Sequence, residues 1–510
     1  MSIFEDDTLR PHALLYNGLV GAELLEPDTD PEFSGLPSAT STSGSHTILW
    51  ANMAVTGFST RTAANYNITK KENGMLTVAP RPYTLTVVDG GSGSGSSSSS
   101  SSGSTPPAVV TPDGKRPDAP TLAETTAAAT PDGKGGATVT IPGALVDSAV
   151  KNAQSAAKEN GAGGDVAVRV NINGGDAATV AVHLPNAAQK TLIAAQVRQF
   201  TLALARPDIV LSLNLDAIKA IHEQANADVQ FSLTRLTGAR PTFALSADYQ
   251  GGSVKDLGAG SVLIEIPYTR AAGEEIGSLC AVCVDDAGAP SYLTKSVYDA
   301  ERGVMRLPAK QFTTYRIDYK PVSLDDTQGN WAQDDIAFAV TRGLLLGTGG
   351  DRFSPDVSMN RGMFVTVLGR LAGVDAGSYT GGRFTDVSAD SYCAPYVNWA
   401  AEKGIVHGIG DGLFSPEQSV TREQMAVLLM NYASVTGLAM PELAPETAFP
   451  DSALVADWAA DTVKAAQRTG VLLGKDGDRL DPTATATRGE AAAMLRRFVE
   501  RLIDSGAARD

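Results

Sequence analysis

The sequence has few aromatic, charged and cysteine residues, and each shortage excludes a class of protein. Of 510 residues, 6% are aromatic, 19% are charged and three are cysteine. Three cysteines cannot build a disulfide framework. Cys280 and Cys283 form a C-x-x-C, but on a strand their odd separation points them to opposite faces. A composition rich in Gly, Ser, Thr and Ala is typical of lean β modules and small-residue helices.

Clustered basic residues and long apolar runs are missing as well. The formal net charge of −16 argues against nucleic acid as a partner, because that binding requires clustered Lys and Arg. No apolar run reaches the roughly 18 residues of a transmembrane helix, so no membrane insertion is expected. The start, MSIFEDDTLR, is acidic where a signal peptide is basic and then apolar.

Motifs for catalysis, metal binding or cofactor binding are absent or incomplete. The five histidines are scattered without a zinc-binding spacing. The stretch GIGDG joins two predicted helices, whereas a dinucleotide-binding loop follows a strand. The stretch DGDRLD (476–481) lacks the remaining ligands of a calcium loop. The sequence therefore predicts no enzyme, no cofactor and no metal site.

Composition divides the chain into several domains. Residues 90–104 are a Gly/Ser tether, and the Pro/Thr-rich stretch after it extends this linker to residue 135. Residues 1–89 alternate in strand fashion around Asn73-Gly74 and predict a small β-rich module that is incomplete at its first strand. Residues 136–320 mix strand patterns with two helices, one capped by Asn214 or Asp216, and predict an α+β or mostly-β domain.

Residues 321–510 repeat one pattern three times, over residues 321–377, 378–440 and 441–510. An aromatic residue is followed twelve positions later by a glycine, and an arginine lies eighteen positions after that glycine. The aromatic residues are Trp331, Tyr392 and Trp458, and the arginines are Arg361, Arg422 and Arg488. Such fixed offsets in three copies indicate a repeat architecture whose units share one core.

Each repeat ends in a helix with a recognisable start. The stretches TREQ (421–424) and TRGE (487–490) are capping boxes, and NRGM (360–363) keeps an Asn cap without the reciprocal partner. In the second and third helices the apolar residues fall on one face. These residues are Met425, Leu428, Leu429 and Tyr432, and then Ala491, Met494, Leu495 and Phe498.

The arginine in each of these first turns is unexpected, because the helix dipole disfavours a cation there. Two interpretations stay open. The arginine forms a structural salt bridge to a neighbouring repeat, or three arginines at positive helix ends hold an anion.

The repeats resemble S-layer homology domains. The resemblance rests on FTDV (384–387) and on GIVHGIGDGLFSPEQSVTRE (404–423), and it covers residues 322–505 in three copies. It implies an all-α, pseudo-threefold helical prism whose grooves bind secondary cell-wall polysaccharide, commonly carrying ketal-linked pyruvate. Residues 1–89 resemble the small Ig-like MBG modules of bacterial surface proteins, and residues 136–320 resemble a spacer domain.

The resemblance implies a set of binding residues. Arg361, Arg422 and Arg488 would bind a carboxylate, which suits the planar guanidinium. Trp331, Tyr392 and Trp458 would contact sugar faces, unless they pack in the core. Asp326, Asp386 and Asp451 would bond sugar hydroxyls or position the arginines. The first repeat departs from the pattern with SLDDT, and Tyr392 replaces a Trp in the second.

The sequence thus predicts a non-catalytic surface protein anchored to the cell wall. One rival is a protein-binding helical scaffold, in which the arginines are structural. Another is the anchor portion of a larger surface enzyme or adhesin. An extracellular, wall-bound location conflicts with the acidic start, and we expect the sequence to be incomplete at its N-terminus.

Overall fold

The computed structural model describes residues 120–506 except 160–164, 207, 286, 439, 444–445 and 476–478, together with short strands between residues 2 and 110. Contacts divide the chain into two compact units, residues 1–103 and residues 104–510.

The first unit contains two small sheets. Its strands are β1 (Ser2–Ile3), β2 (Glu32–Ser34), β3 (Ser45–Ala51), β4 (Ala54–Val55), β5 (Tyr66–Lys70), β6 (Leu76–Pro80) and β7 (Tyr83–Val87). One sheet has the order β1-β7-β3-β2 and the other β4-β6-β5. Strands β5 and β6 are antiparallel on either side of the predicted Asn73-Gly74 turn. The resemblance of this region to MBG modules stays a prediction.

The second unit begins with a domain of two large mixed sheets. Its strands are β8 (Val109–Val110), β9 (Thr121–Ala128), β10 (Thr130–Pro131), β11 (Gly136–Thr140), β12 (Val166–Asn173), β13 (Thr179–Leu184), β14 (Gln199–Arg206), β15 (Ile209–Asn214), β16 (Val229–Leu236), β17 (Thr242–Tyr249), β18 (Gly252–Ser253), β19 (Val262–Pro267), β20 (Leu279–Val284), β21 (Pro290–Tyr292), β22 (Val297–Asp299), β23 (Val304–Ala309) and β24 (Thr314–Tyr319). One sheet has the order β10-β11-β13-β16-β17-β24-β20-β21, with β18 beside β17. The other has the order β22-β23-β19-β15-β14-β12-β9-β8.

Three helices belong to this middle domain: α1 (Gly143–Glu159), α2 (Asn186–Ala194) and α3 (Leu215–Ala225). Helix α1 contacts β9, β12 and α2, while α3 contacts α2 and β15. Asn214 caps α3 by accepting a hydrogen bond from the backbone N–H of Ala217, as one of the two predicted caps. The apolar residues of both sheets and the three helices form one continuous core.

The predicted strands and the two predicted helices of this domain are confirmed, and further elements were not foreseen. Helix α2 begins after Pro185, which makes no side-chain cap. Strand β9 lies in residues 90–135, which we assigned to the linker from composition. It pairs in parallel with β12 over eight residue pairs, from Thr121 with Val166 to Ala128 with Asn173. The end of the predicted linker is therefore extended, as expected, but belongs to a sheet.

The C-terminal region is built from helix pairs. Its helices are α4 (Gln333–Thr341), α5 (Arg361–Ala372), α6 (Ala394–Glu402), α7 (Arg422–Val435), α8 (Ala460–Arg468) and α9 (Arg488–Gly506). The predicted caps are present: Thr421 forms a capping box with Gln424, and Thr487 forms one with Glu490. Asn360 caps α5 alone. The predicted apolar faces of α7 and α9 are buried in one core shared by the repeats.

The first repeat is fixed to the middle domain by a buried arginine. Arg342 is 3% exposed and donates to the carbonyls of Ser296, Gly277, Leu279 and Phe338 at 2.7–3.2 Å. A second contact joins Arg306 of β23 to Asp504 of α9 at 2.7 Å. The repeats and the middle domain therefore share polar contacts as well as core packing.

Among the residues that the structure describes, no helix is long and apolar enough to cross a membrane.

Candidate functional site

The three repeats are joined in a closed cycle of backbone hydrogen bonds. Met359 N–H donates to the Ala486 carbonyl, Ala486 N–H to the Val420 carbonyl, and Val420 N–H to the Met359 carbonyl, at 2.8–2.9 Å. Each of these residues precedes the second helix of its repeat. Repeat 1 thus binds repeat 3, repeat 3 binds repeat 2, and repeat 2 binds repeat 1, so each repeat borders both others.

Hydrogen bonds between the same pairs of repeats also involve the first residues of these three helices. The N–H groups of Arg361, Arg422 and Arg488 donate to the carbonyls of Gln418, Ala484 and Val357 at 2.9–3.0 Å. The N–H groups of the next residues, Gly362, Glu423 and Gly489, donate to the carbonyls of Pro416, Pro482 and Pro355. The first N–H groups of a helix have no partner within it. Here a loop of the next repeat supplies those partners.

The three predicted arginines lie at these junctions and make equivalent contacts. Arg361 donates to the carbonyls of Phe414 and His407, Arg422 to those of Leu480 and Leu473, and Arg488 to those of Phe353 and Leu346. In each case Nε and Nη2 make the contacts, at 2.6–3.2 Å. We name the sites junction 1–2 (Arg361), junction 2–3 (Arg422) and junction 3–1 (Arg488).

The surroundings of the guanidinium groups differ between junctions. Arg361 lies 4.7 Å from the ring centre of Phe414, and Arg488 lies 4.4 Å from that of Phe353. Arg422 instead forms a salt bridge to Glu490 at 3.3 Å. Burial lowers the pKa of Arg361 and of Arg488. The structural interpretation of the sequence, an arginine paired with a carboxylate of a neighbouring repeat, therefore holds for Arg422.

The three predicted aspartates hold the loops that the arginines contact. Each carboxylate accepts from two consecutive backbone N–H groups at 2.7–2.9 Å. The donors are Phe353 and Ser354 for Asp326, Phe414 and Ser415 for Asp386, and Leu480 and Asp481 for Asp451. Ser354, Ser415 and Asp481 have positive φ angles, a conformation that costs energy without such support.

These hydrogen bonds keep the aspartates ionised. The N–H groups of Phe353 and Leu480 are the largest causes that lower the pKa of Asp326 and of Asp451. For Asp386, burial raises the pKa, but the N–H groups of Phe414 and Ser415 outweigh it and the pKa is lowered. An aspartate and an arginine from different repeats thus hold the same residue, one at its N–H and one at its carbonyl.

The three predicted aromatic residues lie on the surface instead of the core. Trp331, Tyr392 and Trp458 are 66%, 52% and 59% exposed. Because these rings are exposed, packing in the core does not explain why an aromatic residue recurs at this position.

Each aromatic residue lies beside the helix that carries an arginine of another repeat. Cys393, next to Tyr392, packs against Gly362, and Ala332, next to Trp331, packs against Gly489. Near Trp458, the N–H of Ala456 donates to the Glu423 carboxylate at 3.0 Å. Every junction therefore combines an exposed aromatic ring from one repeat with an arginine from another.

The sequence did not reveal several polar residues at the junctions. Lys475 lies 3.3 Å from Glu490, which Arg422 also contacts. Asn360 donates to Glu417 at 2.9 Å in junction 1–2. Glu490 stood in a predicted capping box, but its second contact crosses between repeats, and no local pattern encodes that. Among the described residues, no group of three or more His, Cys, Asp and Glu side chains could hold a metal ion.

Comparison with known proteins identifies the repeats. The S-layer homology domain family matches residues 323–362, 383–426 and 448–492. Each range covers the first helix of a repeat, the loop after it and the first residues of the second helix. The resemblance inferred from the sequence motifs is confirmed for this region.

Several curated proteins are similar to part of the chain. An amylopullulanase of Thermoanaerobacterium thermosulfurigenes is 28% identical over 203 residues, 40% of this chain and 11% of that protein. A cellulosome-anchoring protein of Acetivibrio thermocellus is 24% identical over 161 residues, 31% of this chain and 36% of that protein. A surface-layer 125 kDa protein of Lysinibacillus sphaericus is 24% identical over 175 residues, 34% of this chain and 14% of that protein. The matches thus span between about a tenth and a third of these relatives.

Proposed function

Residues 323–492 carry three S-layer homology domains, and from this we propose that the chain is a non-catalytic surface protein held to the cell wall by polysaccharide bound at the repeat junctions. The domains themselves indicate non-covalent anchoring to the wall and an extracellular, wall-associated location. The proposal adds the polymer, a secondary wall polysaccharide that carries ketal-linked pyruvate, and the site residues. It also adds a pseudo-threefold helical prism as the architecture of the three repeats.

The observation that carries the proposal is the pairing of an exposed aromatic ring with an arginine at every junction. An aromatic side chain offers a large amphipathic surface on which the apolar face of a sugar ring can lie. Arginine offers a planar, permanently charged donor group for a carboxylate. A pyruvylated sugar carries both features within a few ångströms, so one residue of the polymer would engage both sides of a junction.

The aspartates have a positioning role in this proposal. Asp326, Asp386 and Asp451 hold the loops by two N–H groups each, and the arginines hold the same loops by carbonyls. The arginine thereby keeps one orientation at the junction before any ligand binds. Preorganised donors bind more tightly because less conformational entropy is lost on binding.

A second candidate function follows because the matched relatives are much longer than the region they share with this chain. The matched part of this chain covers 11% of the amylopullulanase and 14% of the surface-layer protein. The same domains thus occur in proteins named as an enzyme and as a layer protein. In this second candidate the repeats are the anchor of a larger surface enzyme, and hydrolysis of wall or storage polysaccharides by the longer chain would favour it.

The proposal is tested by co-sedimentation of the full chain with isolated cell-wall sacculi. Walls with their secondary polymer are compared with walls from which mild acid has removed it. We expect binding to intact walls and loss of binding to stripped walls. Equal binding to both preparations would contradict the proposal and favour the protein-binding scaffold.

The aromatic residues supply a matched pair of variants. The double variant Trp331→Ala/Tyr392→Ala removes two exposed rings and should weaken wall binding at least about tenfold, since each stacked ring contributes on the order of 1 kcal/mol. The control is Leu236→Ala in the middle domain, where an apolar side chain is 41% exposed. This control should bind like the unaltered chain.

A further inference from the structure

The three equivalent arginines differ in charge compensation. Arg422 Nη1 lies 3.3 Å from a carboxylate oxygen of Glu490, and Lys475 Nζ lies 3.3 Å from the same oxygen. Among the described residues, no carboxylate lies within 4 Å of the guanidinium of Arg361 or Arg488, so neither forms a salt bridge there. The three arginines therefore make the same contacts to backbone carbonyls but differ in whether a carboxylate lies beside the guanidinium.

The difference can be assigned to a single position of the repeat. Glu490 lies seventeen residues after Leu473, whose carbonyl Arg422 contacts. The same offset from His407 and from Leu346 leads to Gln424 and Met363. The residue at this position, the third of the helix, is therefore an amide in junction 1–2, a carboxylate in junction 2–3 and a thioether in junction 3–1.

The Glu490 carboxylate is buried and accepts hydrogen bonds at both oxygens, as the carboxylate of a bound ligand would. The residue is 7% exposed, and one carboxylate oxygen accepts from Arg422 and Lys475 while the other accepts from the Thr487 N–H at 2.9 Å. Buried carboxylates are stable when paired and hydrogen-bonded in this way. Junction 2–3 thus shows a carboxylate held beside Nη1 of its arginine.

We infer that Glu490 is an internal occupant of the anion-binding position in junction 2–3, and that the carboxylates of the wall polymer are bound at junctions 1–2 and 3–1 by Arg361 and Arg488. This inference rests on the proposed function and names which of its three sites are used. Junction 2–3 contributes to cohesion between repeats, while the other two contribute to ligand binding.

The environments of Arg361 and Arg488 support this division. Arg488 is 6% exposed and Arg361 is half-buried, both guanidinium groups lie over aromatic rings, and burial lowers the pKa of each. The nearest carboxylates, Asp386 and Asp326, already accept two N–H donors each. Glu417 in junction 1–2 is bonded to Asn360. A desolvated cation without an ion-pair partner gains more from an external carboxylate than one already paired.

The test uses isothermal titration calorimetry of the full chain with a synthetic hexoside that carries ketal-linked pyruvate. The same hexoside without pyruvate is the control ligand. We expect two pyruvate-dependent sites in the unaltered chain and three in Glu490→Gln. Gln keeps the capping box, as Gln424 does in the second repeat, and it removes the charge that occupies junction 2–3.

Variants of Arg488 and Arg422 should have opposite effects on ligand binding and on stability. Arg488→Ala should remove one site, whereas Arg422→Ala should leave both sites of the unaltered chain. Arg422→Ala should lower the melting temperature more, because it removes one of the two cations that pair with the buried Glu490 carboxylate. Arg488→Lys, which keeps the charge but loses the planar donor pair, should retain the fold and weaken its site about tenfold.

The outcomes distinguish a failure of this inference from a failure of the proposed function on which it rests. Three equal sites in the unaltered chain, or loss of a site in a folded Arg422→Ala variant, overturn the inference and leave wall binding intact. No third site in Glu490→Gln also overturns it. No pyruvate-dependent binding in the unaltered chain, with walls bound normally, overturns the inference and the pyruvate part of the proposed function, and leaves wall anchoring intact. Absence of binding to both the hexoside and the walls overturns the proposed function as well.

Discussion

The middle domain and the repeat region satisfy their backbone polar groups in different ways. In the middle domain, strand ladders such as β12 with β9 and β14 pair the N–H and C=O groups inside two sheets. In the repeat region, the starts of α5, α7 and α9 are completed by carbonyls of another repeat. The first arrangement pairs backbone groups within one domain. The second makes three units that are complete only together.

This difference has a consequence for function. Junctions between repeats bring side chains from two repeats to one place, so an exposed ring and an arginine meet three times. The sheets of the middle domain show no recurring set of this kind among their described residues. We therefore expect ligand binding to depend on the integrity of the repeat cycle and to be indifferent to the sheets.

Removal of the third repeat should produce the largest difference in stability between the repeat helices and the sheets of the middle domain. A chain ending at residue 440 loses the Ala486 acceptor of Met359 and the Ala484 acceptor of Arg422. We expect α4 to α7 to lose protection from amide hydrogen exchange, while β12, β14 and β15 stay protected. Deletion of residues 1–103, which form a separate unit, is the control and should leave both regions protected. Unchanged protection of α5 and α7 in the truncated chain would contradict the account of the cycle.

Substitution of Arg342 should test the connection between the two regions. Arg342→Ala leaves four buried carbonyls without their donor, and we expect a loss of about 3 kcal/mol in the free energy of unfolding. Differential scanning calorimetry should then resolve separate transitions for the sheets and the repeats. Arg206→Ala, at an arginine whose side chain is 65% exposed and which contacts Asp176, is the control and should change stability by less than about 1 kcal/mol. A single unshifted transition in Arg342→Ala would show that this arginine does not couple the regions.

A change at Asp386 should have the smallest effect and should depend on pH. Because the pKa of Asp386 is lowered in the folded state, its carboxylate stabilises the fold above about pH 4, the ordinary range of an aspartate. That contribution is lost as the pH falls through the lowered pKa. We expect Asp386→Asn to cost about 1 kcal/mol at pH 7, since the carboxylate is largely exposed. The stability difference from the unaltered chain, measured by urea unfolding, should shrink toward pH 3. A difference that is constant with pH would rule out this role of the charge.

The local features of the fold could be predicted from the sequence. Period-two stretches such as residues 229–236 are strands, and the caps at Asn214, Asn360 and Thr421 are formed by short-range side-chain contacts. The offsets between aromatic, glycine and arginine residues marked the three repeats. These signals are local, and neighbouring residues alone produce them.

Features that depend on distant contacts could not be predicted. Strand β9 lies in a Thr- and Ala-rich stretch that resembles a linker, and its pairing with β12 across an intervening helix decides its structure. The contacts of the arginines join residues far apart in the chain, such as Arg488 with Phe353. The sequence pattern therefore singled out the three arginines, but it did not show that Glu490 pairs with one of them, Arg422.

The most direct test of the central claim is a crystal structure of the full chain bound to a pyruvylated fragment of the wall polysaccharide. The account predicts a sugar ring on Trp331 or Tyr392, with its carboxylate at Arg488 or Arg361 in the same junction. Fragment density on the sheets of the middle domain, with the junctions unchanged, would contradict it.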